Sequence, residues 1–225
     1  MCSAFSCRYD LKKSTFAVKS GLRVSIMIDK KNIIPQLTKM RPVILDLGCG
    51  VLKKQPHWIG IDILDANTVD IVGDIYEVIK AFPDCSVDEV HASHFFEHLA
   101  DVPALLVELN RVLKPAGFIE VIVPHFSNAY FYSDYTHQHF FGLYSFSYWV
   151  KDNLLKRQVP NYNVHTGLQL QTVFLHFKSP WIINRPFRRL CQLIFNASTF
   201  MKEWYEDSWS NNISCYEVKF ILVKL

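Results

Sequence analysis

Five short apolar segments recur through the first half of the chain, and each is followed by polar residues or glycine. They read VILDL (43–47), WIGIDIL (58–64), VDIVGDI (69–75), VDEVHAS (87–93) and FIEVIVP (118–124). Near-continuous runs of Val, Ile and Leu are typical of strands buried on both faces, as in parallel sheets. The pattern therefore predicts five strands of one covered sheet.

An amphipathic segment separates the fourth of these runs from the fifth. Asp101 is a favourable helix N-cap, Pro103 suits the first turn, and apolar residues then recur at intervals of three and four until Lys-Pro-Ala-Gly at 114–117. Strands connected through helices are typical of parallel pairing with right-handed crossovers. We therefore expect an α/β fold with a Rossmann-like, doubly wound and mostly parallel sheet.

The second half of the chain gives weaker patterns. We expect a helix over 140–155, a strand over 168–177, an amphipathic helix over 186–207 and a final strand over 215–225. With the five strands above, these make a seven-stranded sheet with an aromatic-rich insertion after the fifth strand. Residues 1–41 are predicted as an N-terminal extension, with a strand at 25–28 and a short helix before Arg41-Pro42.

Composition and charge restrict the class of protein. Half of the 225 residues are hydrophobic and 20% are charged, which excludes wholesale disorder. The net charge of +3 is too small to favour nucleic acid as a partner. None of the six cysteines has the C-x-x-C spacing of zinc or redox sites, no apolar run is long enough for a membrane span, and the first residues show no export signal. A cytoplasmic location is expected.

Three aspartates end the first three strands: Asp46, Asp62 and Asp74. In a parallel sheet these ends lie at the edge where ligands bind. Gly48 and Gly50 allow a sharp turn that lets a ligand approach the backbone. Asp62 is placed to accept both hydroxyls of a ribose and Asp74 to accept from an adenine amino group, which together predict a nucleoside pocket.

With ASHFFEHL and LNRVLKPAGFIEVIVP, these segments resemble the ordered motifs of class I S-adenosylmethionine-dependent methyltransferases over residues 43–124. A narrower likeness to members associated with cell-surface polysaccharide clusters comes from the short proline-containing link after Gly50. The resemblance implies S-adenosyl-L-methionine as cofactor, and it implies these cofactor-binding residues: Asp46, Gly48, Cys49, Gly50, Asp62, Ile63, Asp74, Ile75, Ser93 and His94.

The resemblance also implies one methyltransferase domain over 1–225, in which 43–124 bind the cofactor and 125–225 bind the acceptor and complete the sheet. The implied reaction is in-line methyl transfer to oxygen or nitrogen of a small-molecule or glycan acceptor. An NAD-dependent oxidoreductase is disfavoured because Lys53 occupies the third glycine position of G-x-G-x-x-G. A non-catalytic S-adenosylmethionine-binding protein is the other alternative, and the three intact aspartates argue against it.

Histidines supply the candidate catalytic groups, since six of the nine lie between 91 and 139. A hydroxyl acceptor needs a base, and imidazole suits that role. His125, directly after the fifth strand, and His137 are the candidates, and a structural role is the alternative for each. His94-Phe95-Phe96-Glu97-His98 also matches the inverted zinc-protease pattern H-x-x-E-H, and His137 with His139 and Asp134 is a second metal-like set. Neither context favours a metal, so none is predicted.

Two further segments leave alternatives open. Residues 126–149 contain eleven aromatic side chains, which either cover the site or pack a second small core. In the predicted helix over 186–207, an apolar stripe accompanies Arg185, Arg188 and Arg189. The stripe either meets a membrane surface or lies on the sheet, and we expect the second of these.

Overall fold

The computed structural model describes residues 27–160, 162 and 166–225. In this part of the chain, nine strands form one sheet in the order β1-β4-β3-β2-β5-β6-β9-β8-β7. Their bounds are β1 (Ile28–Asp29), β2 (Ile44–Leu47), β3 (Ile59–Asp62), β4 (Ile71–Val72), β5 (Val87–Ser93), β6 (Leu113–Pro124), β7 (Lys151–Asp152), β8 (Leu168–His176) and β9 (Glu217–Lys224).

The sheet is mixed and mostly parallel, as predicted for a Rossmann-like α/β fold. The antiparallel pairs are β1–β4, β6–β9 and β8–β9, and the other five pairs are parallel. The seven predicted strands are all present. The count of seven was nevertheless wrong, because the two-residue strands β1 and β7 extend the edges of the sheet. Of the strand predicted at 25–28, residues 25 and 26 lie outside the described part, and Ile28 begins β1.

Four α-helices are present in the described residues: α1 (Ile75–Val78), α2 (Val102–Val112), α3 (Arg185–Phe195) and α4 (Thr199–Trp204). Asp101 caps α2 by accepting a hydrogen bond from the Ala104 amide, as its sequence position predicts. The short helix expected before Arg41 is a 3-10 helix over Ile34–Lys39.

The crossovers from β2 to β3 and from β3 to β4 contain no helix, which confirms that the first crossover is shortened. Side chains of the loops cover the strands instead. The Trp58 ring stacks on His91 of β5 at 4.1 Å, and Lys53 forms a buried ion pair with Asp70. This loop brings the backbone after Gly50 directly to the edge of the sheet.

The prediction of a helix over 140–155 is wrong. This segment contains a 3-10 turn over Phe146–Tyr148 and the short strand β7. Phe141 and Phe146 are fully buried and stack on each other at 5.7 Å, and the Leu143 amide donates to Glu206 rather than to a helical partner. Burial of separate aromatic rings therefore determines the path of this segment.

The helix predicted over 186–207 is interrupted. The Asn196 side chain both donates to and accepts from the backbone of Leu175 in β8, and Ser198 then caps α4. The expectation that the apolar stripe covers the sheet is also wrong for most of its length. Only Cys191 and Phe195 of α3 are buried, whereas Phe187, Leu190 and Leu193 are more than half exposed.

One hydrophobic core joins the two halves of the described chain, from Ile33 before β2 to Leu222 of β9. The buried members in the middle of the sheet come from β2, β5, β6 and β9. No helix among the described residues is both long and apolar enough to cross a membrane.

Candidate active site

A cavity of about 650 Å³ lies at the carboxyl ends of β2, β3 and β5, beside the start of α1. It contains seven of the ten residues that the sequence predicts for cofactor binding. Its walls are formed by Gly48, Gly50, Ile61, Asp62, Ile63, Leu64, Gly73, Asp74, Ile75, Tyr76, His94, Phe95, His98, Leu99 and Thr136. A separate 430 Å³ cleft, which includes Gly167 and Leu168 at the start of β8, opens at the opposite edge of the sheet.

Two glycines form the turn after β2 with left-handed backbone angles. The φ angle is 66° at Gly48 and 52° at Gly50. A Cβ at Gly48 would stand 2.5 Å from Cδ2 of Phe95, whereas a Cβ at Gly50 would have no atom within 4 Å. Gly48 is therefore required for its φ angle and for close packing, while Gly50 leaves open space beside the backbone for a ligand.

Asp62, the last residue of β3, holds the glycine turn and faces the cavity. Its Oδ2 accepts a hydrogen bond from the Gly50 amide at 2.8 Å, and its Oδ1 accepts one from the Leu64 amide at 2.8 Å. Each carboxylate oxygen has two lone pairs, so one on each oxygen remains for a further donor. The side chain can thus order the loop and bind a pair of hydroxyls together.

The opposite wall is largely apolar. Asp74 caps α1 by accepting from the Tyr76 amide, which fixes its carboxylate at the cavity wall. Ile75 and Leu99 are buried, while Ile63 is 73% exposed at the rim. A flat apolar ring with a polar edge fits between such surfaces.

His94 follows β5 and has an unusual backbone conformation. Its φ angle of 54° is uncommon for a residue with a side chain, and strained backbone of this kind clusters at functional sites. Its Nε2 lies 3.4 Å from Oε2 of Glu217, and its Nδ1 lies 3.4 Å from Oε1 of Glu97. Glu217 first, and Glu97 second, raise the pKa of His94 to about 9, so the ring is positively charged at neutral pH.

Glu217, in β9, lies between this cavity and a second one. Burial alone would raise the pKa of Glu217, but hydrogen bonds with His94 and Lys178 outweigh it and lower the value to about 2. Lys178 also lines a neighbouring cleft of about 600 Å³ together with Tyr130, Tyr216, Ser179 and Pro180. His94, Glu217 and Lys178 thus form a charged partition between the two cavities.

Three predicted cofactor residues do not line the cavity: Asp46, Cys49 and Ser93. Asp46 is buried and accepts a hydrogen bond from the Lys54 amide, so it orders the shortened crossover. The Cys49 sulfur lies over Gly60, and burial raises the pKa of its thiol to about 12. Ser93 ends β5 beside His94 without reaching the wall.

The two predicted catalytic histidines have different surroundings. His125 is fully buried, its Nδ1 is bonded to Ser127 and its Nε2 to Glu206, and it does not line the cavity. His137 is nearly buried, and its ring lies 4.9 Å from the ring of His98 in the cavity wall. Thr136 of the cavity wall directly precedes it.

Sequence reasoning missed several residues of the site. His98 and Leu99 stand in the motif ASHFFEHL, so a signal for them was available. Glu217 and Lys178 had only weak signals, as charged residues at the edges of apolar strands. Thr136 had none, because only the fold brings its loop to the end of β5.

Residues 45–121 match a known family, described as a methyltransferase domain. The match begins in β2 and ends in β6, so it contains the glycine turn and the strand ends that form the cavity. The chain carries a class I S-adenosylmethionine-dependent methyltransferase domain. No curated protein matches the chain by sequence.

Solved structures with a similar fold include further methyltransferases. A SAM-dependent methyltransferase from Archaeoglobus fulgidus shares 18% identity over 85% of this chain and 89% of its own, with a TM-score of 0.47. The YcgJ protein from Bacillus subtilis shares 15% sequence identity over 84% of this chain and 96% of its own, with a TM-score of 0.48. Phosphoethanolamine N-methyltransferase 2 from Haemonchus contortus, in complex with S-adenosyl-L-methionine, shares 13% sequence identity over 85% of this chain and 51% of its own. The TM-score is 0.45.

S-adenosylmethionine is the cofactor of this methyltransferase, and the cavity has the chemistry to fit it. Asp62 retains free lone pairs for two hydroxyls, and the open space beside Gly50 admits a ligand close to the backbone. The apolar wall at Ile75 and Leu99 suits an adenine ring. His94 also lines this wall, with its two ring nitrogens directed at Glu217 and Glu97.

Proposed function

We propose that this methyltransferase transfers the methyl group to oxygen or nitrogen of a small-molecule or glycan acceptor. The acceptor would bind in the cleft of Tyr130, Lys178 and Tyr216, beyond the His94–Glu217–Lys178 partition. The observation that supports this most directly is the position of Glu217, which contacts a residue of the cofactor cavity on one side and a residue of the cleft on the other.

The proposal gives each part of the cavity a role toward the cofactor. Asp62 accepts from the two ribose hydroxyls, and Asp74 with Ile75 contacts the adenine ring. Gly48 and Gly50 let the backbone approach the ribose and methionine portion, and His94 lies along the methionyl side of the cofactor. The ribose contact uses the free lone pairs of Asp62.

The cleft favours an acceptor with a ring and a negative group. The rings of Tyr130 and Tyr216 are 6.4 Å apart at 63°, so they offer one face and one edge. Such aromatic surfaces bind sugar or aromatic rings by contact, and the Lys178 ammonium supplies a charge for a phosphate or carboxylate. A glycan or small molecule of this kind fits better than a protein surface, because the cleft is small.

Methyl transfer requires alignment of the acceptor atom with the methyl carbon and the sulfur, and exclusion of water. An acceptor hydroxyl loses its proton, its oxygen bonds to the methyl carbon, and the carbon–sulfur bond breaks to release S-adenosylhomocysteine. His137 lies beside the cavity and is the better of the two histidine candidates for accepting the proton. The burial of His125 favours a structural role.

We also infer a division of labour within one domain. Residues 43–124 contribute most of the cofactor cavity, and residues 125–225 contribute the cleft and the strand that carries Glu217. The continuous core that joins these segments supports a single unit.

An acceptor screen tests the proposal. Purified protein with S-adenosylmethionine would be offered sugars, sugar phosphates, phenols, amines and carboxylates, while release of S-adenosylhomocysteine is followed. Tyr216→Ala should raise the KM for the acceptor at least tenfold and leave cofactor affinity unchanged, whereas Tyr162→Ala, at an exposed tyrosine outside the cleft, should change neither. Failure of every acceptor class, or an unchanged KM in Tyr216→Ala, would contradict the assignment of the cleft.

A further inference from the structure

Glu97 carries a buried carboxylate without hydrogen-bond partners among the described residues. Its side chain is fully buried, and neither oxygen accepts a hydrogen bond. A charged carboxylate in such a place is costly unless a cation or donor compensates it. The nearest cationic group, His94, lies at an ion-pair distance of 3.4 Å, without the alignment of a hydrogen bond.

The imidazole rings of His98 and His137 both lie close to the Glu97 carboxylate. One ligand atom each from Glu97, His98 and His137 lies within 4.8 Å of the others. Ligand atoms at about 2.1 Å from a tetrahedral zinc ion lie roughly 3.4 Å apart, so the three side chains need to close by up to about 1.4 Å to share an ion.

The hydrogen bonds of both rings leave their Nε2 atoms as acceptors. His137 Nδ1 lies 2.8 Å from the Phe131 carbonyl, which can only accept, so Nδ1 carries the proton. Thr136 donates its hydroxyl proton to Asp134, so its oxygen accepts from His98 Nδ1 at 2.9 Å. Hydrogen bonds of this kind at the far nitrogen are what orient metal-binding histidines in proteins.

The backbone holds the cluster together before any ligand binds. The amides of Gln138 and His139 both donate to the Glu97 carbonyl, and the Gln138 side chain donates to the His98 carbonyl. The loop that carries His137 is therefore fixed against the turn that carries Glu97 and His98. This separates the cluster from an accidental meeting of mobile surface groups.

We propose that Glu97, His98 and His137 bind one divalent transition-metal ion, such as Zn²⁺ or Fe²⁺. Two histidines and one carboxylate are a donor set for these ions that leaves coordination positions open. The set differs from both patterns considered in the sequence, since it combines Glu97 and His98 with His137 and omits His94 and His139. It departs from the expectation, drawn from the sequence, of no metal.

The position of the ion gives it a role that rests on the proposed function. His98 and Thr136 line the cofactor cavity, so the open coordination positions lie at its wall. An acceptor hydroxyl bound there is easier to deprotonate, since a divalent ion lowers the pKa of bound oxygen ligands. In this arrangement His137 holds the ion and does not act as the base; the bound hydroxyl releases its proton to water, and its oxygen then attacks the methyl carbon.

Metal binding can be tested without any acceptor. The full chain would be stripped with a chelator and titrated with Zn²⁺, and with Co²⁺ followed by visible absorption. We expect one ion per chain, a rise in melting temperature, and at least 100-fold weaker binding in Glu97→Gln and His137→Gln. His139→Gln is the matched control from the same loop and should bind as the unchanged protein does.

Other outcomes have distinct meanings. Binding of less than one ion per chain at millimolar Zn²⁺ would overturn the metal site. So would a loss of zinc affinity in His139→Gln as large as the loss in Glu97→Gln and His137→Gln. Because S-adenosylhomocysteine titration is independent of the metal, a chain that binds the cofactor but no ion refutes this inference and leaves the methyltransferase assignment in place.

A second inference concerns the exposed face of the tail helices. Ten of the 23 large exposed hydrophobic residues of the described chain lie between 181 and 209. This apolar face consists of Trp181, Ile182, Ile183, Phe187, Leu190, Leu193, Ile194, Phe200, Trp204 and Trp209. Apolar residues in such density rarely face water in monomeric soluble proteins.

The charges around this face are mainly positive. Arg185 and Arg189 are exposed on α3 itself. The acids that follow α3 turn inward, since Glu203 of α4 accepts from Tyr144 and from the Lys156 amide, and Glu206, after α4, is bonded to His125. Asp207 is the exposed exception. An apolar surface with arginines at its border complements an anionic lipid surface.

We infer that the apolar face lies in the headgroup region of an anionic membrane. The test is co-sedimentation with vesicles of phosphatidylcholine alone or with added phosphatidylglycerol. Retention should require the anionic lipid and should fall at least tenfold in Leu193→Asp and in Arg189→Glu, but not in Val107→Asp, an exposed apolar residue of α2.

The same variants identify other occupants of the face. Self-association that Leu193→Asp abolishes, without retention by either vesicle, would assign the face to a second copy of the chain and overturn the membrane inference. Equal retention of all variants would overturn it as well.

Discussion

The two halves of the molecule use similar residues in different ways. In residues 43–124, polar side chains follow buried strands directly, so Asp62 and Asp74 reach the cavity from fixed strand ends. In residues 125–225, polar groups are partnered across long stretches of sequence, as His125 is with Glu206. The comparison shows that a strand end determines where a side chain lies from local sequence alone, whereas a loop needs the whole fold to place it.

The glycine turn allows the sharpest test of this difference. Gly48→Ala should abolish measurable binding of S-adenosylhomocysteine, a loss of roughly 100-fold or more, because its Cβ would clash with Phe95 at a positive φ angle. Gly50→Ala, whose Cβ meets no atom, should lose affinity by roughly tenfold or less from the φ angle alone. Calorimetric titration measures both, and equal effects would contradict the packing argument.

A smaller loss is expected from Asp62→Ala. Removal of the carboxylate takes away acceptors for two ribose hydroxyls and for the Gly50 and Leu64 amides, so affinity for S-adenosylhomocysteine should fall roughly 30- to 100-fold. Asp65→Ala is the control, because Asp65 lies three residues after Asp62 and forms only an exposed ion pair with Lys30. An unchanged affinity in Asp62→Ala would show that the cofactor lies elsewhere.

Within residues 125–225, a substitution should change stability and leave cofactor affinity nearly unchanged. Glu206→Gln weakens the bonds to His125 and to the Leu143 amide and should reduce the free energy of unfolding by about 2 kcal/mol, with cofactor affinity within about twofold. Urea unfolding and calorimetric titration measure the two quantities. Asp207→Asn, in the same turn, should leave both unchanged, and a large loss of cofactor affinity in Glu206→Gln would break the distinction between the halves.

The smallest effect is expected at Glu120, which links the halves. A hydrogen bond with His91 and the charges of Lys54 and Lys219 lower its pKa from 4.5 to about 2. Its contribution to stability is therefore present above pH 4.5 and is lost as the pH falls through 2. Glu120→Gln should cost about 1 kcal/mol at pH 7 and flatten the stability change below pH 4.5, whereas the exposed Glu77→Gln should not. Unfolding curves across this pH range decide the matter.

Much of the fold could be predicted from the sequence because its strands are nearly continuous apolar runs. All seven predicted strands exist, and Asp101 caps α2 as expected. The short edge strand β7 was missed because two residues give no periodicity, and the strand predicted at 25–28 shares only Ile28 with β1. The failed helix over 140–155 shows the limit of helical spacing, since Phe141 and Phe146 pack as single rings into the core.

The site residues that could be predicted from the sequence are mainly those at the ends of predicted strands. Seven of ten predicted cofactor residues line the cavity, while Asp46 and Cys49 turn into the shortened crossover instead. That crossover depends on Lys53 and Asp70 meeting across the loop, which no local pattern reveals. The partnership of Glu97 with His137 likewise joins two loops distant in sequence.

The place of β9 in the sheet has a consequence for the order of folding during synthesis. Strands β2 to β6 can pair with one another as the ribosome releases them. Strand β8 pairs only with β9 and the short β7, so it has no link to the rest of the sheet until residues 217–224 emerge and enter between β6 and β8. Pairing over about a hundred residues is slow compared with local contacts. Because Glu217 begins β9, we expect the carboxyl ends of β2, β3 and β5 to come together before Glu217 meets His94 and Lys178.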